Sequence, residues 1–292
     1  MNHAAVAAVP ANAQAVRREL LRLLDRALEH TTSRRTLAPD DVHEIRKLIK
    51  RARAQLALLR PALDERDYAQ VNRSLRDAAR CLASARDSAV IAQAYARLRE
   101  VGMDARPLKG KAGPAPQAAG RADPAPSTRR LRTARTRATG MVVSGRAWGS
   151  LGPGLRAVYR RGRHCVQAAD GTPTSEALHE WRKQVKRLWH VLEPFVAANP
   201  ARLGAQVRDA RRLSEVLGEE HDLAMLEAKL RRKASRRSRL DEEIMARAAE
   251  RRARLARRAL RIGARLYAEP PKSFENQLRR DWDAWRKRLD RS

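Results

Sequence analysis

The sequence predicts an all-α protein, and three observations carry that prediction. The apolar residues are dominated by Ala and Leu, aromatic residues make up only 4% of the chain, and apolar positions recur at helical rather than alternating spacing. Ala, Leu, Arg and Glu all favour helices, whereas Val, Ile, Phe and Tyr are too few for an extended sheet. With 43% hydrophobic and 33% charged residues over 292 positions, a core requires amphipathic elements that pool their apolar faces. That length suits one large domain or two moderate ones.

A first helix is expected over residues 13–30, with Leu20, Leu23, Leu24 and Leu28 on one side. Pro39-Asp40-Asp41 starts a second, its acids complementing the positive end of the helix dipole. Ile45, Leu48, Ile49, Ala52, Leu56 and Leu59 form its apolar side, and Pro61 stops it. A third helix is expected over 63–85 and a fourth over 87–101, completing a first half at 13–103. Residues 104–140 read as a basic, Pro/Gly/Ala-rich linker. Gly110, Gly113, Pro114, Pro116, Gly120, Pro124 and Pro126 interrupt any helix there, and almost nothing apolar is available to bury. A second half, 141–292, resumes the pattern with helices over 155–168, 175–197 and 201–217. A long basic stretch follows over 219–268, broken near Ser235, and Pro270-Pro271 ends it. The last helix, 273–289, aligns Phe274, Leu278, Trp282 and Trp285 as core rather than as a base-stacking platform.

The charge is the strongest compositional signal. Sixty-three basic residues against 33 acidic ones leave +30, a surplus that repels itself in a compact state unless anions offset it. The implied partner is a polyanion: polyphosphate, nucleic acid or an anionic membrane surface. No stretch approaches the length of a membrane span. The mildly apolar segment 4–10 is too short for a signal peptide and lacks a basic leader. Cys81 and Cys165 are isolated, as in a reducing compartment. A cytoplasmic location is expected.

Self-similarity sharpens the partner. Val42-His43-Glu44-Ile45-Arg46-Lys47-Leu48-Ile49-Lys50-Arg51 recurs as Leu178-His179-Glu180-Trp181-Arg182-Lys183-Gln184-Val185-Lys186-Arg187 without a gap. Arg76-Asp77-Ala78 and Arg80 likewise match Arg208-Asp209-Ala210 and Arg212, and Arg86-Asp87 corresponds to His221-Asp222. At about 100° per residue, His43, Arg46, Lys47, Lys50 and Arg53 share one face, opposite Ile45, Leu48, Ile49 and Leu56. In the second copy His179, Arg182, Lys183, Lys186 and His190 share a face, opposite Trp181, Val185, Leu188 and Leu192. Ordinary charged faces intersperse acids at i,i+4 to relieve repulsion. Here Glu44 and Glu180 project sideways and no acid lies within the row, as expected if an anion occupies the space between like charges.

The duplicated His-x-x-Arg-Lys-x-x-Lys-Arg helix, with the Leu217-Gly218-Glu219-Glu220-His221-Asp222 turn, resembles the CHAD family, the conserved histidine α-helical domain. The resemblance extends over most of the chain apart from the linker, although Ser84-Ala85-Arg86-Asp87 of the first copy lacks the Leu-Gly of the second. It implies two pseudo-symmetric four-helix bundles forming one domain, with a basic channel at their junction that binds inorganic polyphosphate.

In that reading Arg46 and Arg182 bind phosphate oxygens in bidentate fashion, while Lys47, Lys50, Lys183 and Lys186 act as mobile point charges. Arg51, Arg53, Arg187 and His190 extend the same faces. His43 and His179 donate hydrogen bonds, and surrounding anion raises their pKa. Arg76, Arg80, Arg208 and Arg212 are second-tier contacts. No Walker loop, Glu-x-Glu-x-Lys signature or His/Cys metal cluster occurs, so neither catalysis nor a metal or cofactor is expected. The alternative partner is DNA or RNA bound through phosphates without base readout.

Overall fold

The computed structural model describes residues 9–82, 122–145, 147–169, 173–232 and 239–291. Among them the protein is all-α, with nine helices, three short 3-10 turns and no strand. The expected helix over 87–101, and Ser84 to Asp87 of the first repeat, lie outside the described residues.

Helix α1, Ala13–Thr32, is capped by Asn12, whose side-chain oxygen accepts from the Ala15 N–H at 3.0 Å. Helix α2, Pro39–Leu59, begins with proline where no backbone donor is needed. Asp41 in its first turn accepts from the Ala38 N–H and from Arg34, both at 3.0 Å. Helix α3, Glu65–Arg80, is capped by Asp64, which accepts from the Arg66 and Asp67 N–H groups. Leu20, Leu23 and Leu24 of α1 meet Ile45, Leu48, Ile49 and Leu56 of α2 in the core.

The segment 104–140 departs from its expectation as a linker. Residues 104–121 lie outside the described part, but Ala125–Gly140 forms a helix, α4. Ser127, Leu131, Ala134 and Ala138 are buried on one side of it, and the Ser127 hydroxyl donates to the Ala78 carbonyl at 3.2 Å. Pro124 and Pro126 do not break this helix because they stand at its start, where proline is tolerated. One leucine and two alanines suffice because small side chains let α4 lie close against its neighbours. It packs on α1 and α3, so α1–α4 form a four-helix group.

The second half comprises α5 (Gly152–Ala168), α6 (Ser175–Leu192), α7 (Pro200–Arg231), α8 (Arg239–Leu266) and α9 (Pro271–Leu289). Helix α6 packs between α5 and α7, α8 lies along α7, and α9 crosses α5. Phe274, Leu278 and Trp282 of α9 are buried, and Trp285 packs at the edge of the core. The expected turn at Leu217 to Asp222 is not a turn: α7 runs through it without interruption.

The two halves meet where α2 lies against α5 and α6. At Gly154 a Cβ would collide with the Leu58 carbonyl oxygen, so glycine permits this close crossing. The junction therefore sets the two motif-bearing helices, α2 and α6, side by side.

Candidate functional site

A cavity of about 280 Å³ lies at that junction. Helix α2 contributes Arg46, Ile49, Lys50 and Arg53; helix α6 contributes His179, Arg182, Lys183, Lys186, Arg187 and His190; α3 closes one side with Ala79. Seven of these eleven residues are Lys or Arg and none is acidic, so the cavity concentrates positive potential between low-dielectric walls.

The four arginines of the lining each have a structural reason for their position. Arg46 donates to the Ala79 carbonyl at 2.8 Å, at the negative end of α3. Arg53 donates to Asn72 of the same helix at 3.1 Å. Arg187 donates to Gln184 at 2.7 Å. Arg182 lies against Gly218, where a Cβ would stand 2.9 Å from its guanidinium. This explains both the glycine and the uninterrupted α7: the residue gives room for Arg182 instead of ending a helix.

The electrostatics show how tightly the charge is packed. Burial lowers the pKa of Arg53, and the neighbouring Arg187 lowers it further; Arg187 is itself lowered by burial, with Arg161 adding to the effect. His179 is held below the ordinary imidazole value by burial and then by Lys183 and Arg182, against an opposing pull from Glu180. Its ring stacks on His221 with centroids 4.1 Å apart. Its Nδ1 is buried without a hydrogen-bond partner among the described residues. His190 is buried and its pKa is lowered by that burial, although Glu193, 3.5 Å from its Nδ1, pulls the other way. Its ring stacks on Trp189.

The acids flanking the two rows are not as remote as the helical wheel implies. Glu44 pairs with Lys47 and Glu180 with Lys183, each at 3.1 Å and i,i+3 spacing, because flexible side chains swing around the helix. Glu180 also accepts from Gln184 at 2.5 Å.

Not every expected residue reaches the cavity. His43 and Lys47 are exposed on α2 and do not line it. Arg51 lies outside the lining, but its charge acts on His190 and Glu193. Arg76 and Arg80 are exposed and pair with Asp77 at 4.0 and 3.4 Å; Arg76 still acts on Arg53. Arg208 and Arg212 are exposed on α7 and also stand apart from the lining. The sequence reading missed His221, which supports His179, and Asn72, which holds Arg53. The repeat pointed at His221 through its alignment with Arg86; nothing local marked Asn72.

No helix of the described residues is long and apolar enough to cross a membrane. Among those residues no group of three His, Cys, Asp or Glu side chains is placed to hold a metal ion.

Comparison with known proteins gives two matches. A family model described as the CHAD domain matches residues 18–231. The crystal structure of the CHAD domain from the plant Ricinus communis superposes with a TM-score of 0.56 at 16% identity, covering 92% of this chain and 96% of that one. At that identity the likeness concerns the fold. No curated protein matches the chain.

Proposed function

Since the chain belongs to the CHAD family, we propose that the cavity between α2 and α6 holds inorganic polyphosphate and does not turn it over. One observation carries the reading: both copies of the repeated basic motif line a single acid-free cavity from facing helices. Polyphosphate bears negative charge on every unit, so a row of Arg and Lys fits it better than a compact pocket for one anion would. Polyphosphate binding by CHAD domains in other proteins supports the same reading. Arg46 and Arg182 offer planar, bidentate donors, while Lys50, Lys183 and Lys186 follow the chain as mobile charges. The sequence carries neither a Walker loop nor a Glu-x-Glu-x-Lys signature, and the function is therefore read as binding, with association to polyphosphate granules as its cellular form.

A second reading has an observation of its own. From Arg251 to Leu266, α8 contains no acid, and Arg257, Arg258 and Arg261 are exposed along it. Such a face would hold DNA or RNA through phosphates alone.

Competition between long-chain polyphosphate and duplex DNA across a salt series separates the two. Polyphosphate is expected to remain bound at salt that strips DNA. Replacing Arg46, Lys50, Arg182 and Lys186 together by Ala is expected to abolish that retention and leave helicity intact. Equal competition by DNA, or unchanged binding by the quadruple variant, would sink the cavity as the polyphosphate site.

A further inference from the structure

Beside the central cavity a second cleft of about 390 Å³ opens along α5. It is lined by Arg160, Arg161, His164, Cys165 and Ala168 of α5 and by Gln184 of α6. Arg160, Arg161, His164 and Ala168 share one helical face, the three basic side chains are exposed, and α5 contains no acid along its length.

The partition between this cleft and the central cavity is thin. Gln184 lines the cleft, Arg187 lines the cavity, and the two are joined by the 2.7 Å hydrogen bond from Arg187 Nη1 to Gln184 Oε1. Positive charge continues across it. Arg161 is near enough to add to the depression of the Arg187 pKa that burial begins, and Arg187 acts in the same way on Arg53 within the cavity. The carboxylate whose charge reaches this region, Glu180, is already engaged by Lys183 and Gln184.

We propose that the α5 cleft is a second anion subsite, receiving the part of a condensed phosphate chain that leaves the central cavity past Arg187. The inference rests on the polyphosphate reading of the central cavity. A chain longer than that cavity must emerge somewhere, and on the α5 side it meets Arg161 and then Arg160 and His164 before bulk solvent. A short phosphate fills the central cavity alone, so the cleft strengthens binding only for long chains.

The test compares tripolyphosphate with long-chain polyphosphate on three proteins of verified helicity: the native chain, Arg160→Ala/Arg161→Ala, and Arg18→Ala/Arg26→Ala. The last removes the same charge from exposed positions of α1, outside both linings. The cleft variant is expected to bind tripolyphosphate as the native chain does and to lose about tenfold in affinity for the long chain, while the α1 variant changes little. Equal losses in the two variants would reduce the effect to bulk charge, and an unaltered long-chain affinity in the cleft variant would leave the subsite without a role. Either result retires the subsite alone, provided that the native chain binds both anions and the central quadruple variant binds neither. If the native chain binds neither, the polyphosphate reading fails and the subsite fails with it.

Discussion

At Gly218 the chain forgoes intrinsic helix stability, since glycine in a helix interior costs about 1 kcal/mol relative to alanine. The space is used by the guanidinium of Arg182. Gly218→Ala should therefore raise stability by up to about 1 kcal/mol in urea unfolding while lowering polyphosphate affinity, because the new methyl displaces Arg182. Gain without loss would show that the position of Arg182 is immaterial. His179 offers a second handle. Its pKa is depressed first by burial and then by Lys183 and Arg182, so the empty protein prefers the neutral ring. That preference adds stability above the unfolded value of about 6.5 and is lost as pH falls below it, because the unfolded chain takes up the proton first. An anion in the cavity reverses the balance and raises the His179 pKa. Polyphosphate binding should thus take up protons and strengthen as pH falls through that range. His179→Gln should flatten the dependence, as measured by calorimetry in buffers of different ionisation enthalpy. His190, also depressed, faces Glu193, Arg51 and Lys186 and accounts for the part that remains.

At the scale of elements, α4 and α7 show where local pattern and packing part company. Helix α4 has one large apolar residue, Leu131, which is fully buried. Leu131→Ala should cost about 2–4 kcal/mol in chemical unfolding; a neutral result would mean that 125–140 contributes nothing to the core. Composition hid this helix because Ala134 and Ala138 bury well only against a partner surface that the local sequence does not reveal. Helix α7 in turn is held by a buried network. Arg252 of α8 donates to Glu220 at 2.9 Å and Glu227 at 3.0 Å on α7, and also to Ser175 in the first turn of α6. Burial raises the pKa of Glu220, and Arg252 opposes it. Removing one partner of such a network leaves an uncompensated buried charge, so α6 keeps its place through contacts far from the cavity it lines. Nothing in the spacing of Glu220, Glu227 and Arg252 announces that they meet.

Across the whole molecule, +30 is a cost that the fold distributes unevenly. Much of the charge spreads over exposed helix faces, where solvent and salt screen it. At the junction of the halves it is instead gathered into a cavity with no acid in its lining, where screening is weaker. The sequence by itself determined the all-α class, the two amphipathic motif helices and their cationic faces, because helical periodicity is a property of neighbours along the chain. It did not determine which cations share a cavity. Arg46, Lys50 and Arg53 face Arg182, Lys186 and Arg187 because α2 crosses α5 at Gly154 and rests on α6, while His43, Arg208 and Arg212 fall outside. That selection depends on contacts between residues far apart along the chain, which only the packed tertiary structure brings within reach of one anion.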